Sequence, residues 1–213
     1  MGREFLHVFD EWADHYDETV TGNDREYEEV FRNYDEILQE VADLTSGNVL
    51  EFGPGTGNLT VKLLEKGLRV LAIEPSSSMR NVAESKIKSK HVRFVDGDFF
   101  QYPTNETIDT IVSTFAFHHL SDEEKAAAVK QYGNLLKVDG KIVFADTMYV
   151  NEIAHKEAIQ EAERKGFLRL ADDLRTEYYP TIPYIDRIFK ENGFSISFKR
   201  CNQFVWILQA VKL

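Results

Sequence analysis

The stretch "NVLEFGPGTGN" (48–58) sets Gly53, Gly55 and Gly57 at alternate positions, directly after an apolar run and directly before a helical pattern. A tight turn needs one glycine, and every further one adds chain entropy that folding must overcome. Three together gather unpaired backbone N–H groups at the positive end of a helix dipole and leave no β-carbon in a ligand's way. That chemistry suits a nucleotide-like cofactor. A second feature agrees with it: "LRVLAIEP" (68–75) ends in Glu74, 21 residues beyond Gly53. A carboxylate at the tip of a second strand is placed to accept hydrogen bonds from both hydroxyls of a ribose. Its competing role is to cap a helix over 77–88, which Ser76 to Ser78 already supply. A third feature is "FHHL", which sets His118 and His119 just past a strand. One of them can act as a base or acceptor contact, or the pair can hold its loop by hydrogen bonds.

The elements that must position these groups follow from periodicity. Short apolar runs at 48–52, 68–73, 91–95, 108–115 and 140–146 alternate with helical stretches at 58–66, 77–88 and 121–137. Alternation of this kind builds βαβ units, a parallel sheet and right-handed crossovers. Ser121 and Glu124 form a capping box at the start of the third helix. Before the first strand, Phe5, Val8, Phe9, Trp12, Ala13 and Tyr16 predict a helix over 4–18. Tyr27, Val30, Phe31, Tyr34, Ile37, Leu38, Val41 and Leu44 predict one face of a second. Residues 150–180 read as helical and then irregular, and 182–192 as a last helix with Pro183 near its start and Gly193 past its end. The final residues form two strands, 194–200 and 203–212, joined by "RCNQ" with no room for a crossover helix, so they pair antiparallel.

Composition limits the partners. The 213 residues hold 43% hydrophobic residues, enough for one domain with an added cap, and the net charge is −11. Residues 1–45 carry 14 Asp and Glu against three Arg, while 46–213 carry 22 of each sign. That acidic segment disfavours nucleic acid and anionic membrane as partners and is compatible with small molecules. It forms a solvated helix face, or else a negative rim that draws in cations. No run of about 18 apolar residues occurs. A soluble cytoplasmic protein, monomeric or homodimeric, is expected. A single cysteine, Cys201, excludes an internal disulfide and a CxxC metal motif, and His7, His15, His91 and His155 are too scattered for a metal site.

Two cofactor classes fit so far, nicotinamide dinucleotides and S-adenosylmethionine. The dinucleotide fingerprint requires a glycine where Asn58 stands, and a dinucleotide domain continues with parallel crossovers rather than an antiparallel pair. Both departures point away from an oxidoreductase. Taken together, "VLEFGPGTGNLT", "LAIEPSSSM", "VDGDFF", "IDTIVSTFAFHHL" and "LLKVDGKIVFAD" resemble the successive motifs of class I S-adenosylmethionine-dependent methyltransferases. "FDEWADHYDETV" resembles the N-terminal helix of the small-molecule members, and the whole chain resembles a group of uncharacterised bacterial methyltransferases. The resemblance implies an α/β fold, a Rossmann-like three-layer sandwich with a seven-stranded, mostly parallel sheet, an antiparallel last strand and a helical N-terminal cap. It implies one domain over 1–213, with 1–45 and 149–180 forming a lid.

The resemblance also implies roles. Gly53, Gly55 and Gly57 lie beneath the methionine part of S-adenosylmethionine, Glu74 holds the ribose, and Asp98 accepts from the adenine amino group while Phe99 offers a backbone N–H. Pro75 and Met79 flank the ring, Thr114 to Phe117 pass the amino-acid end, and Tyr16 closes the pocket. His118 and His119 are the candidate catalytic residues. Tyr149, Phe167, Tyr178 and Tyr179 are candidate pocket aromatics. S-adenosylhomocysteine is then the product, and the acceptor is a small molecule, since "STFAFHH" lacks the Asn/Asp-Pro-Pro-aromatic cluster that embraces a nucleic-acid amino nitrogen. A binding module that does not transfer the methyl group is the alternative reading. An NAD-dependent oxidoreductase is a distant third.

Overall fold

A computed structural model describes residues 16–103 and 106–213. Seven strands form one sheet: β1 (Asn48–Phe52), β2 (Arg69–Ile73), β3 (Val92–Val95), β4 (Thr110–Thr114), β5 (Lys141–Thr147), β6 (Phe194–Arg200) and β7 (Val205–Lys212). Their order is β3-β2-β1-β4-β5-β7-β6. β1 pairs in parallel with β2 and β4, and β7 runs antiparallel between β5 and β6. The chain moves outward from β1 to β3 and then crosses to β4 on the other side. The carboxyl ends of β1 and β4 therefore diverge at a topological switch point, where such sheets open a ligand crevice.

The central strands are buried on both faces and mostly apolar, because both faces of the sheet are covered. Val49, Val70, Val112 and Val143 pack on one side against Ile37, Leu38 and Val41 of α1 (Tyr34–Leu44) and against Leu59 and Leu63 of α2 (Asn58–Glu65). Leu170 and Leu174 of α6 (Leu168–Thr176), which follows α5 (Glu152–Lys165), complete that layer. Leu50, Phe52, Ile111 and Phe144 point to the opposite layer, built by Val129 and Tyr132 of α4 (Asp122–Leu135) and Ile185 and Phe189 of α7 (Ile182–Glu191). α3 (Ser77–Lys86) connects β2 to β3. The capping box appears as expected: Glu124 N–H donates to Ser121 Oγ at 3.3 Å, and Ser121 N–H donates to Glu124 Oε2 at 2.9 Å. Pro183 stands at the start of α7.

Three expectations need correction or lie out of reach. The second helix is not continuous: Asn33 is left-handed at φ 62°, and only Tyr34–Leu44 is α-helical. Tyr27 and Val30 are buried all the same, so the apolar spacing reflects burial rather than one helix. The region expected to be irregular after α5 contains α6. Of the helix expected over 4–18 the structure describes Tyr16–Glu18, which leads into a π-helical turn at Thr19–Asn23. Phe5, Val8, Phe9, Trp12 and Ala13, with His7 and His15, lie outside the described residues.

Candidate functional site

The carboxyl ends of β1 to β4 deliver the expected groups to one cavity. Gly53 and Gly55 follow β1, Glu74 and Pro75 follow β2, Asp98 and Phe99 follow β3, and Thr114 to Ala116 lie at the tip of β4. Met79, Tyr16 and His119 complete the wall. Gly57 does not line it. The three glycines are needed for three different reasons. A β-carbon on Gly53 would stand 2.7 Å from Ala116 Cβ, so this glycine lets β1 and β4 approach closely. One on Gly57 would stand 2.6 Å from Ile87 Cδ1 and 3.4 Å from Ala83 Cβ, so it lets α2 start against α3. One on Gly55 would meet no heavy atom within 4 Å. Its bare main chain faces open cavity. All three have positive φ, where a side chain is strained.

Glu74 is buried, and its two oxygens hold the loop together. Oε2 accepts from Gly55 N–H at 3.0 Å, and Oε1 accepts from Ser76 N–H at 2.9 Å. Ser76 Oγ in turn caps α3 by accepting from Met79 N–H at 3.2 Å. Burial pushes the Glu74 carboxyl up to about 7, against the pull of those two backbone donors. Glu51 on β1 bonds the Thr60 hydroxyl and is pushed by burial, with the nearby Glu74 charge adding to it, up to about 8. Asp98 Oδ1 accepts from Phe100 and Gln101 N–H, each at 2.9 Å, which shapes the β3 loop.

The N-terminal segment is fastened to the glycine loop by Asp17. Its carboxylate accepts from Thr56 Oγ1 at 2.6 Å, Asn58 Nδ2 at 2.9 Å and Lys86 Nζ at 3.0 Å. Burial opposes the charge, yet those bonds hold the carboxyl below the usual range. The neighbouring Tyr16 hydrogen bonds with Tyr34, and burial first and Tyr34 second push its phenol well above the ordinary value.

A second cavity adjoins the first and shares Tyr16, Phe115 and His119 with it. Phe31, Tyr27 and Tyr179 form much of its wall, and Asp173 and Glu177 reach it from α6 and the residue after α6. Phe115 sits at φ 53°, a strained conformation for a bulky residue, and its ring lies 5.3 Å from Phe31 and 5.4 Å from Tyr34.

The two histidines differ in their surroundings. Both the main chain and the ring of His118 are tied to Asp146 at the end of β5: its N–H lies 3.0 Å from Oδ2 and its Nδ1 2.6 Å from Oδ1. Burial alone would lower the imidazole, but the Asp146 carboxylate prevails and raises it. Tyr179 stacks on that ring at 4.9 Å. His119 Nδ1 lies 2.9 Å from Glu177 Oε2, and burial together with the His118 charge lowers its imidazole. Burial works against the Glu177 charge, yet the His119 bond and both histidine charges hold it below the usual range. Donor atoms of His118, His119 and Glu177 lie within 4.8 Å of one another. Lys125, fully buried on α4, donates from Nζ to Tyr178 O at 2.6 Å and to Leu120 O, and burial lowers its ammonium to about 8.

Among the expected pocket aromatics, Tyr179 lines the second cavity. Tyr149 lines a separate surface groove with Phe204 and Trp206, and Tyr178 is half exposed. Sequence reasoning missed Tyr27, Phe31, Asp173 and Glu177. Tyr27 and Phe31 were visible only as apolar spacing, and nothing set the two acids apart from the other acidic residues. Among the described residues no helix is long and apolar enough to cross a membrane.

Residues 49–140 match the family described as "Methyltransferase domain". An uncharacterised methyltransferase of Geobacillus sp. (strain WCH70) is 56% identical over the full length of both chains, and the uncharacterised methyltransferase YrrT of Bacillus subtilis (strain 168) is 51% identical over the full length of both. Among solved structures, the fold is similar to that of magnesium protoporphyrin IX methyltransferase from Synechocystis PCC 6803 with bound S-adenosylhomocysteine. The TM-score is 0.73 and the identity 19%, over 99% of this chain and 98% of that one.

Proposed function

We propose, from the premise that this chain belongs to the bacterial methyltransferase family its full-length relatives define, that it methylates a small-molecule acceptor with S-adenosylmethionine. The observation that carries the reading is the pair of adjoining cavities, one walled by the glycine loop and Glu74, the other by aromatics, with His119 in both. The residues fit the cofactor. The open space over Gly55 admits a group lying on the main chain, and a buried carboxylate stands at the ribose distance along the sequence.

Gly53 and Gly55 would underlie the methionine part and Thr114 its amino-acid end. Glu74 would take the ribose hydroxyls. Asp98 and the Phe99 N–H would take the adenine edge, with Pro75 and Met79 on its faces. Gly57 has a packing role against α3. When bound, the cofactor supplies a methyl group already activated on a sulfonium. The protein's own work is then to align the acceptor and exclude water, which can lower a barrier by roughly 7–11 kcal/mol. Tyr16, held by Tyr34 and fastened through Asp17, closes the space between the cavities. Residues 149–180 and the described part of 1–45, residues 16–45, would act as a lid on a single domain.

His119 is the group that would take a proton from the acceptor, and Glu177 orients its ring. His118 is a positioning residue, locked to Asp146. Deprotonation by a placed base is worth roughly 10²- to 10⁴-fold.

Thermal unfolding with added ligand tests the cofactor: the midpoint rises with S-adenosylhomocysteine and stays put with NAD, and the reverse pattern refutes the reading. Incubation with methyl-labelled S-adenosylmethionine and a fractionated metabolite extract tests the transfer. Label in a small-molecule fraction is expected, and label in no fraction means that the protein only binds the cofactor.

A further inference from the structure

The second cavity has a charge pattern that selects among acceptors. Asp173 and Glu177 stand four residues apart, on one face of α6 and its C-cap, and both reach the cavity wall. Like charges at this spacing destabilise a helix. Here they are also partly desolvated: burial first, then the Glu177 charge, raises the Asp173 carboxyl. Among the described residues, the other ionisable groups on the wall are His118, His119 and the tyrosines. His118 pairs with Asp146, so it adds no net positive charge. Among the described residues, no lysine or arginine lines the cavity. Two basic residues on elements that contribute to this region are turned to other work. Lys125 holds the carbonyls of Leu120 and Tyr178, and Arg169 pairs with Asp24 and Glu26. The rest of the wall is Tyr16, Phe31, Phe115 and Tyr179 with Val30, Leu170 and Leu174, which gives an apolar body a place to lie. Aromatic faces also favour a nearby cation.

We propose that this cavity is the acceptor site and that it takes a small primary or secondary amine with an apolar or aromatic body, bound initially as the ammonium between Asp173 and Glu177. A carboxylate or phosphate ester would meet two carboxylates there and, among the described residues, no lysine or arginine. The proton step balances simply: one ammonium N–H bond breaks, the proton passes to the His119 imidazole, and the electron pair stays on the amine nitrogen as the nucleophilic lone pair. Burial and the His118 charge keep the His119 imidazole neutral and so able to receive a proton, while the Glu177 carboxylate at its Nδ1 fixes the tautomer and offsets part of that penalty. Tyr27 donates its hydroxyl to Asp173 Oδ2 and so fixes the second carboxylate toward the cavity.

This inference rests on the methyltransferase reading, and the experiment separates the two. Calorimetric titrations with matched probes, namely 2-phenylethylamine, agmatine, 2-phenylethanol and 3-phenylpropionate, are run on the protein saturated with S-adenosylhomocysteine. At least one amine binds at millimolar concentration or better, and 3-phenylpropionate does not. Asp173→Asn, which keeps an oxygen for Tyr27, weakens the amine at least tenfold and leaves affinity for 2-phenylethanol and for S-adenosylhomocysteine within twofold. If S-adenosylhomocysteine itself fails to bind, the methyltransferase reading fails, and the amine inference fails with it. If it binds while neither amine does, while 3-phenylpropionate binds as well as the amines, or while Asp173→Asn leaves amine affinity unchanged, the inference alone is overturned. Amine binding that appears only with added Zn²⁺ or Mg²⁺ also overturns it, in favour of a metal held by His118, His119 and Glu177.

Discussion

Replacing Gly55 with alanine should separate folding from binding. Gly55 has φ 55°, and a β-carbon there meets no heavy atom within 4 Å. The folded apoprotein therefore sustains only the left-handed strain of a non-glycine residue, roughly 1–2 kcal/mol. In a chain of this size that lowers the thermal midpoint by about 2–8 °C. Gly67 supplies the matched control: its φ is 75°, a β-carbon there is equally unobstructed, and it lies in the turn between α2 and β2, away from both cavities. Gly67→Ala should show the same loss of stability. The two variants should part company in ligand binding. The new methyl group at Gly55 occupies the space over the bare main chain, so S-adenosylhomocysteine affinity should fall at least tenfold, about 1.4 kcal/mol or more. Gly67→Ala should bind like the parent. Urea unfolding and calorimetry on both proteins decide the matter. Equal affinity for the two variants would refute the idea that the loop is bare because a ligand lies on it.

Other outcomes follow from the same geometry. Glu51 has a folded-state pKa of about 8, raised above its unfolded value, so its contribution to stability is full below the unfolded pKa and is lost as pH rises toward 8. Glu51→Gln should match the parent near pH 4 and exceed it at pH 8 and above, by at most about 5 kcal/mol; a constant difference across urea curves from pH 4 to 9 would contradict this. Glu74, raised to about 7, must ionise to accept fully from a ribose, so S-adenosylhomocysteine affinity should rise between pH 6 and 8 and then level off. A flat profile in that window would count against the ribose assignment. Asp17→Ala frees Thr56, Asn58 and Lys86 and should speed S-adenosylhomocysteine release severalfold in stopped-flow measurements. An unchanged release rate would remove the closing role of that segment. Lys125→Met leaves the carbonyls of Leu120 and Tyr178 without their buried donor and should lower stability by roughly 2–6 kcal/mol in urea, with a loss below 1 kcal/mol arguing against it.

The sheet was legible in the sequence because its central strands are buried on both faces and so appear as short, mostly apolar runs, and β1 and β6 have the expected bounds. The antiparallel end was legible for a steric reason: four residues cannot carry a crossover. The cofactor side of the site was legible because its groups come one after another from successive strand tips. The adjoining aromatic cavity was not. Tyr27 and Phe31 looked like part of a helix that Asn33 in fact interrupts, since burial of an irregular turn produces the same spacing as a helical face. Asp173 and Glu177 acquire meaning only when α6 brings them opposite Tyr27 and His119, residues 146 and 58 positions away. Likewise, adjacent histidines of identical type separate into a locked strut and a ring shared by both cavities only through Asp146 on β5 and Glu177 beyond α6.

The most direct measurement is a crystal structure of the protein with S-adenosylhomocysteine. The account predicts the ribose hydroxyls on Glu74, the adenine between Pro75 and Met79 with its edge at Asp98, the amino-acid portion over Gly53 and Gly55, and the sulfur toward His119 and the second cavity. Density for the ligand elsewhere, or in this cavity with its ribose turned away from Glu74, would contradict it.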